Sequence, residues 1–312
     1  MVESRRPRVG FVGLGHAGWP MCGNVVKAGY DVTVQDIDAG RARAFADEYE
    51  CEAVASPCDL AGVEVLVTML PNGDVVREVI LGPGGAADAL ASGAIVIDTS
   101  SSDPFGTRKL GAELAGRGIT LLDAPVTMPE PGGAPKGHIT IMLGGDDEEA
   151  MDRAEPVIRT MCNHLFRVGS LGAGHATKTL NNYTSAAGLV AALDSLIVSQ
   201  KFGLNPATTL EVLNVGTGRN FSTAFALPME ALTRRFATGF SLKLLIKDLG
   251  IASDLVAAMG CDNELASLLR RKFAEAADAL GGDPDHTEAL RYWEEREHVE
   301  VPAVNADEGE TA

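Results

Sequence analysis

The sequence predicts an α/β fold, in which a doubly wound parallel sheet is followed by an all-helical C-terminal domain. Two observations predict this class. Short, continuously apolar runs alternate with helical patterns over the first half of the chain, and such runs are typical of strands covered on both faces. From Gly174 onward strand patterns vanish and helical patterns follow one another. We therefore predict a sheet domain at 1–170, a helical domain at 171–298 and a disordered acidic tail at 299–312.

The strand candidates of the sheet domain are short apolar runs that end at turn residues. The loops that follow them are rich in Gly, Pro, Ser and Asn. In open sheets ligands bind at the carboxyl ends of the strands, so we expect the functional site at these loops. The candidate strands are Arg8–Val12, Tyr30–Asp36, Val63–Met69, Ala94–Asp98, Ile119–Asp123, Ile139–Leu143 and Leu165–Val168.

A long apolar stretch, Ala176–Phe202, predicts one helix that ends near Gly203. Because it is apolar on most faces, we expect it to be the buried spine of the helical domain. Its cover comes either from the later helices or from a second copy of the chain, and we favour a second copy. The later helices are predicted at Pro206–Val215, Ser222–Thr233, Leu242–Met259, Asn263–Leu280 and Pro284–Arg296.

Composition excludes several classes of function. The chain has 312 residues and a formal net charge of −17, which argues against nucleic acid or an anionic membrane surface as the main partner. The apolar run Ser185–Ser199 is too short for a membrane span and contains Asp194. The five cysteines are scattered and odd in number, which indicates free thiols in a reducing cytoplasm. The histidines show no metal-ligand spacing.

The first strand candidate leads into a turn with the pattern G-x-G-x-x-G. Between a strand and a helix, this pattern permits a tight turn, close approach of the backbone to a pyrophosphate, and close helix packing. The second strand ends at Asp36, whose carboxylate suits the ribose hydroxyls of NAD rather than a 2′-phosphate. These features predict a Rossmann-type domain that binds NAD, although Asp36 or Asp38 could instead cap the next helix. The turn residues expected at the cofactor are Gly13, Leu14, Gly15, His16, Ala17 and Gly18.

A lysine and two asparagines stand at the beginning of the long helix, at Lys178, Asn181 and Asn182. Positions three and four apart share a helix face, so these side chains lie together. A partly desolvated lysine has a lowered pKa and can exchange a proton near neutrality. Lys178 is therefore a candidate general acid/base. The alternative is a lysine that reaches solvent beside exposed asparagines.

In their order along the chain these motifs resemble the β-hydroxyacid dehydrogenase family, which includes 3-hydroxyisobutyrate dehydrogenases and tartronate semialdehyde reductases. The resemblance covers about residues 8–296. The family's catalytic stretch, Gly-x-Gly-x-x-x-Lys-x-x-Asn-Asn, is complete at 172–182. The other matching segments are Gly13–Gly18, Leu70-Pro71, Asp98–Pro104, Asp123–Val126, Phe240–Leu242 and Lys247–Leu249.

The resemblance implies an NAD-dependent oxidoreductase that moves a hydride between nicotinamide and a small 3-hydroxy acid or its semialdehyde. Lys178 would exchange the hydroxyl proton, and Asn182 would hold Lys178 and the substrate oxygen in place. It also implies a homodimer or homotetramer. The further contacts it implies are Asn181, Thr127 and Met128 to the substrate, and Leu70, Pro71, Ser101 and Lys247 to the cofactor. For Lys247 the alternative is an exposed helix lysine beside Asp248.

The segment after Val126 departs from the family pattern. The family carries Ser-Gly-Gly there, whereas this chain reads Thr127-Met128-Pro129. Thr127 keeps a hydroxyl for the acid group of the substrate, but Met128 and Pro129 add bulk, and Pro129 removes a backbone donor. We therefore expect a narrower pocket and weaker activity on 3-hydroxyisobutyrate than a Ser-Gly-Gly enzyme shows. The alternative substrates are a sulfonated or a tartronate-type semialdehyde.

Other functions are compatible with the same fold. Imine reductases of this kind typically lack the lysine, so Lys178 disfavours that activity. A non-catalytic protein that only binds the cofactor is disfavoured because Lys178, Asn181 and Asn182 are all present. Binding a small acid needs local cations, which Lys178, Lys247 and Arg219 could supply. The alternative for Arg219, which lies next to Gly216 and Gly218, is a solvent-facing loop residue.

Overall fold

The computed structural model describes residues 5–128, 133–262 and 264–304. The chain divides into two compact units, Met1–Lys178 and Thr179–Ala312. The division lies inside the long helix rather than at the predicted 170/171 boundary. The reason is that the start of this helix belongs to the sheet unit, where the backbone N–H groups of Gly172 and His175 donate to Asp123.

The first unit contains one sheet whose strands are short and apolar. Their order across the sheet is β3-β2-β1-β4-β5-β6-β8-β7, with β9 beside β8, where the labels follow the chain. The strands are β1 (Val9–Val12), β2 (Val32–Gln35), β3 (Glu52–Ala53), β4 (Val65–Thr68), β5 (Ile95–Asp98), β6 (Thr120–Asp123), β7 (Val126–Thr127), β8 (Thr140–Gly144) and β9 (His164–Gly169). The strands β3 and β7 were not predicted, because two residues are too few to show a hydrophobic pattern.

Helices cover both faces of this sheet, as the continuous apolar strands predict. The two faces have separate cores because alternate strand residues point to opposite sides. Val67 packs with Phe45 in the core on one face, whereas its neighbour Leu66 packs with Leu114 in the other core. The helices of the first unit are α1 (Gly18–Lys27), α2 (Ala39–Tyr49), α3 (Gly73–Leu81), α4 (Pro104–Ala115) and α5 (Glu148–Met161).

The sheet is mixed rather than wholly parallel. Pairing is parallel from β3 through β6, but β8 runs antiparallel to β6 and β7. A parallel pair needs a long crossover, usually a helix. The described residues between β6 and β8 contain β7 and the 3₁₀ turn Ala134–Lys136 but no α-helix. α5 then supplies such a crossover, and β9 pairs parallel to β8.

The second unit is helical. Its core contains Leu193, Leu249, Phe273 and Trp293. One predicted α-helix is instead a π-helix, Ser222–Ala231, which contains Pro228. Proline has no N–H to donate to the α-helical ladder, and π-helices pair each N–H with the carbonyl five residues back. The α-helices are α6 (Ala173–Phe202, which begins in the first unit), α7 (Pro206–Val215), α8 (Leu242–Ala258), α9 (Leu265–Leu280) and α10 (Ala289–Glu297).

Part of the segment predicted as a tail is packed against the second unit. Val301 is fully buried, and the N–H of Val304 donates to the carbonyl of Leu232. The packed part of the second unit therefore reaches Val304 rather than ending at 298, and residues 305–312 lie outside the described residues. Within the described ranges, no helix combines the length and apolarity that crossing a membrane requires. The same ranges hold no group of three or more His, Cys, Asp or Glu side chains placed to bind a metal.

Candidate active site

The glycine turn between β1 and α1 has the geometry that its sequence predicts. Gly13 has a φ of +97°, a value that L-residues rarely adopt. A Cβ on Gly13 would collide with the carbonyl of Met69, and a Cβ on Gly18 with that of Gly13. A Cβ on Gly15 would meet no atom within 4 Å. The turn is therefore closely packed behind Gly13 and Gly18 and open in front of Gly15.

The open side of the turn fits a pyrophosphate. Among the described residues, no side chain caps the first turn of α1, which has Ala17 at its N-cap. Gly15 and His16 are exposed. Free N–H groups at a helix N-terminus, together with the helix dipole, favour an anion. The residues present thus fit the phosphates of a dinucleotide.

Asp36 connects this turn to the end of β2. Its Oδ2 accepts a hydrogen bond from the Leu14 N–H at 2.7 Å, and its Oδ1 accepts from the Asp38 N–H at 2.8 Å and from Arg41 Nη1 at 3.2 Å. A carboxylate offers about four acceptor positions, so one remains for a hydroxyl. The cap of α2 is Asp38, which accepts from the N–H groups of Gly40 and Arg41. Asp36 is therefore not the helix cap.

The loops after β4 and β5 are joined by buried polar groups. Asp98, at the end of β5, is 2% exposed. Its Oδ1 accepts from Thr68 Oγ1 and the Ser100 N–H, each at 3.0 Å, and its Oδ2 accepts from Ser102 Oγ at 3.0 Å. The Ser100 hydroxyl in turn accepts from the Leu70 N–H at 2.9 Å. These bonds fix the loops that carry two groups of predicted cofactor contacts, Leu70-Pro71 and Ser101.

The next strand end anchors the start of α6. Asp123 is fully buried, and it accepts from the N–H groups of Gly172 and His175, both at 2.7 Å. Burial raises the pKa of the Asp123 carboxyl, although the His175 imidazole and the two N–H groups oppose that rise. Asp98 and Asp123 are direct partners across β5 and β6. A pair of adjacent apolar strands that each end in aspartate is the sequence signal for this cluster, and sequence reasoning did not use it.

α6 carries the predicted catalytic residues. Lys178 is half-buried and Asn181 is exposed, whereas Asn182 is only 8% exposed. Asn182 lies four positions after Lys178, one turn further along the same helix. In the second unit, Asn182 Nδ2 donates to Asp248 Oδ2 at 2.5 Å, and Asn182 Oδ1 accepts from Asn181 Nδ2 at 3.1 Å. The amide of Asn182 is therefore held in one orientation.

Asp248, the partner of Asn182, is a residue that the sequence analysis named only as a neighbour of Lys247. It is 4% exposed on α8, and its Oδ1 lies 3.2 Å from Lys247 Nζ. Lys247 is half-buried, so it is not the exposed helix lysine of the alternative interpretation. The signal was the segment Lys247–Leu249, in which an aspartate sits on an apolar helix.

The remaining predicted residues are placed as follows. Thr127 is half-buried at the end of β7, where it pairs with Thr140 of β8. Met128 is half-buried against the core of the sheet. Pro129, on which the narrower pocket partly depends, lies outside the described residues. Arg219 is exposed, as its alternative interpretation expects.

Two family models match the chain in succession. The model of the NAD binding domain of 6-phosphogluconate dehydrogenase matches residues 8–169. The model of the NAD-binding region of NADP-dependent 3-hydroxyisobutyrate dehydrogenase matches residues 172–293. The chain therefore contains an NAD(P)-binding domain.

Curated and solved relatives agree with these matches. A 3-hydroxyisobutyrate dehydrogenase of Pseudomonas aeruginosa is 32% identical over 89% of this chain and 94% of its own. A 3-sulfolactaldehyde reductase of Escherichia coli is 31% identical over 90% of this chain and 94% of its own. The structure of a Mycobacterium tuberculosis 3-hydroxyisobutyrate dehydrogenase with L-serine has a TM-score of 0.83 at 31% identity, and the match covers 92% of this chain and 99% of that one.

These relatives are dehydrogenases and reductases matched over about nine tenths of this chain, and the two family models cover the residues of the glycine turn and of the lysine–asparagine helix start. The motifs seen in the sequence and the fold that carries them therefore have one common explanation. The chain is an oxidoreductase of the 3-hydroxyacid dehydrogenase type, and it belongs to the β-hydroxyacid dehydrogenase family.

Proposed function

We propose that the enzyme transfers a hydride between NAD and a small 3-hydroxy acid or its semialdehyde, with Lys178 as general acid/base. The observation that carries this proposal is the position of Lys178 on α6. It is half-buried and stands one turn before the buried Asn182. A lysine amine placed beside the substrate hydroxyl can exchange a proton with it.

Each residue then has a defined task. The bound nicotinamide takes or supplies the hydride. In oxidation Lys178 Nζ accepts the hydroxyl proton as the hydride leaves the carbon, and in reduction Nζ returns it. Asn182 uses one N–H for Asp248, which leaves its second N–H for the substrate oxygen. The hydroxyl of Thr127 binds the acid group of the substrate.

The preference for NAD rests on the end of β2. Asp36 retains one acceptor position for a ribose hydroxyl, and its negative charge repels a 2′-phosphate. The next residue, Ile37, is 98% exposed and offers no charge to a phosphate. Arg41 already pairs with Asp36 and Asp38. These contacts support NAD over NADP.

The substrate class is a small carboxylic acid, with a sulfonic acid as the second candidate. The second candidate is favoured by the similarity to a protein named 3-sulfolactaldehyde reductase and by the loss of the Ser-Gly-Gly pattern at 127–129. A hydroxyl such as that of Thr127 can donate to either acid group.

A spectrophotometric screen tests this proposal. Purified enzyme is offered small 3-hydroxy acids, their semialdehydes and sulfonated analogues with NAD and with NADP, and nicotinamide absorbance is followed. We expect turnover of a 3-hydroxy acid or its semialdehyde with NAD. We also expect 3-hydroxyisobutyrate not to be the best substrate. Turnover confined to 2-hydroxy acids or to imines would contradict the substrate class.

We also propose a homodimer or homotetramer. Several apolar side chains on α6 and α7 remain exposed, among them Phe202 at 80% and Val215 at 90%, and a second copy would cover them.

The five cysteines are free thiols. This supports a reducing compartment, for which we propose the cytoplasm.

A further inference from the structure

A buried histidine stands at the start of α6 and has no role in the chemistry described so far. His175 is 1% exposed. Its Nδ1 lies 2.8 Å from Thr107 Oγ1 of α4. Its ring also faces two carboxylates, with Nε2 3.6 Å from Asp98 Oδ2 and Nδ1 3.7 Å from Asp123 Oδ2. One side chain thus connects the first turn of α6 to α4 and to the ends of β5 and β6.

This cluster is a costly way to fill a core. Buried carboxylates and imidazoles lose their hydration and need polar partners. Well-packed apolar side chains of similar volume often stabilise a protein as well or better. The cluster does, however, fix the orientation of its members, because a hydrogen bond is directional whereas apolar contacts allow sliding. What it orients is the helix turn that contains His175.

That turn also sets the position of Lys178. Residues three apart on a helix are neighbours on one face, and Lys178 follows His175 by three positions. The backbone of the turn is fixed as well, because Asp123 accepts the N–H groups of Gly172 and His175. An error of about 1 Å in the position of a catalytic group can cost about a hundredfold in rate.

We propose that His175 is a positioning residue that fixes Lys178 relative to the substrate by clamping the first turn of α6 between α4 and the strand ends at Asp98 and Asp123. The proposal rests on the role of Lys178 as acid/base. Its competitor is a histidine that contributes only to stability.

Substitutions of different polarity distinguish a positioning role of His175 from a role in stability alone. His175→Leu removes both ring nitrogens, whereas His175→Gln keeps an amide that can donate to one carboxylate. Val157→Ala, in the fully buried core of α5, is the stability control. Measurements are kcat, KM for substrate and cofactor, the solvent deuterium isotope effect on kcat, and the melting temperature.

We expect His175→Leu to lower kcat about tenfold to a hundredfold, with the KM for cofactor within about twofold. The solvent isotope effect should increase, because proton transfer by a displaced Lys178 becomes more rate-limiting. His175→Gln should recover part of the loss, and it serves alone if the leucine variant does not fold. Val157→Ala should lower the melting temperature but leave kcat and the isotope effect unchanged. A kcat and isotope effect that stay at wild-type values in the folded histidine variants would overturn the proposal.

A double-mutant cycle with Lys178→Ala completes the test. If His175 acts through Lys178, adding His175→Gln to Lys178→Ala lowers kcat by less than about twofold. Effects that multiply would overturn the positioning role. If Lys178→Ala alone keeps near-native turnover, the acid/base assignment has failed. If that variant is inactive while the histidine variants keep full kcat, only the positioning role has failed.

Discussion

At the residue scale, Gly13 and Gly15 belong to one turn but meet different surroundings. Gly15 faces open space, so Gly15→Val should fold normally. Its branched side chain should instead keep the pyrophosphate from the backbone and weaken cofactor binding by about tenfold or more. Gly13→Ala is the contrasting variant. Because Gly13 has a φ of +97° and the Met69 carbonyl occupies the place of a Cβ, this variant should lose about 2 kcal/mol of stability or more.

Fluorescence titration with NADH and urea unfolding of both variants check these expectations. A Gly15→Val enzyme that binds NADH as tightly as wild type would show that the pyrophosphate lies elsewhere.

Ile37 permits a direct test of cofactor choice. Ile37→Arg places a guanidinium beside the end of β2, where it can pair with a 2′-phosphate. We expect the ratio of kcat/KM for NADP over NAD to rise by about tenfold or more, and further when Asp36→Asn is added. Ile37→Gln is the uncharged control and should change the ratio little. Wild-type enzyme that already prefers NADP would contradict the assignment of NAD.

At the scale of single elements, His286 connects the turn before α10 to the segment that precedes α8. Its Nδ1 lies 3.1 Å from both Thr238 Oγ1 and the Phe240 carbonyl. Burial lowers the pKa of His286, although Asp285 and the Phe240 carbonyl oppose the shift. The folded protein therefore binds this proton less readily than the unfolded chain does. Stability is complete above about pH 6.5, the ordinary pKa of histidine, and falls as the pH drops below it.

We expect urea unfolding to show this loss as the pH falls below about 6.5. His286→Gln should be less stable at pH 7 but should lose less on acidification, since it cannot take up the proton. His164→Gln, at an exposed site on β9, should follow the wild-type pH dependence. Equal pH dependence in wild type and His286→Gln would refute the assignment.

The elements also show where sequence patterns succeed. Apolar runs identify a strand such as β5 and helical periodicity identifies α7, because both signals depend on local burial. The antiparallel direction of β8 and the π-helix around Pro228 are set by connection length and backbone hydrogen bonding, which no apolar pattern records.

The residues of the candidate site also fall into two groups, those that sequence motifs predict and those that only folding brings together. The sequence motifs predicted Lys178 and the glycine turn. The pairing of Asn182 with Asp248 and the cluster around His175 join residues that are far apart in the chain. Such contacts exist only after folding, so a single sequence does not reveal them.

At the scale of the whole molecule, the question is what covers the long helix. The chain itself buries Leu193 and Leu196 of α6, yet Val198 and Phe202 remain 63% and 80% exposed. We expect light scattering at micromolar concentration to give the mass of a dimer or tetramer. Phe202→Asp should lower that mass, whereas Phe166→Asp, on the exposed β9, should not. A monomer mass for the wild type would show that the chain needs no partner copy.

The central claim is that Lys178 moves the substrate proton. The measurement is kcat of Lys178→Ala with NAD and the best 3-hydroxy acid, beside Lys201→Ala, an exposed lysine on the same helix. Loss of a general acid/base predicts a decrease in kcat of about two to four orders of magnitude and little change in NAD affinity, while Lys201→Ala stays near wild type. Near-native turnover by Lys178→Ala, together with an inactive Lys247→Ala, would contradict the claim and transfer the role to the other lysine.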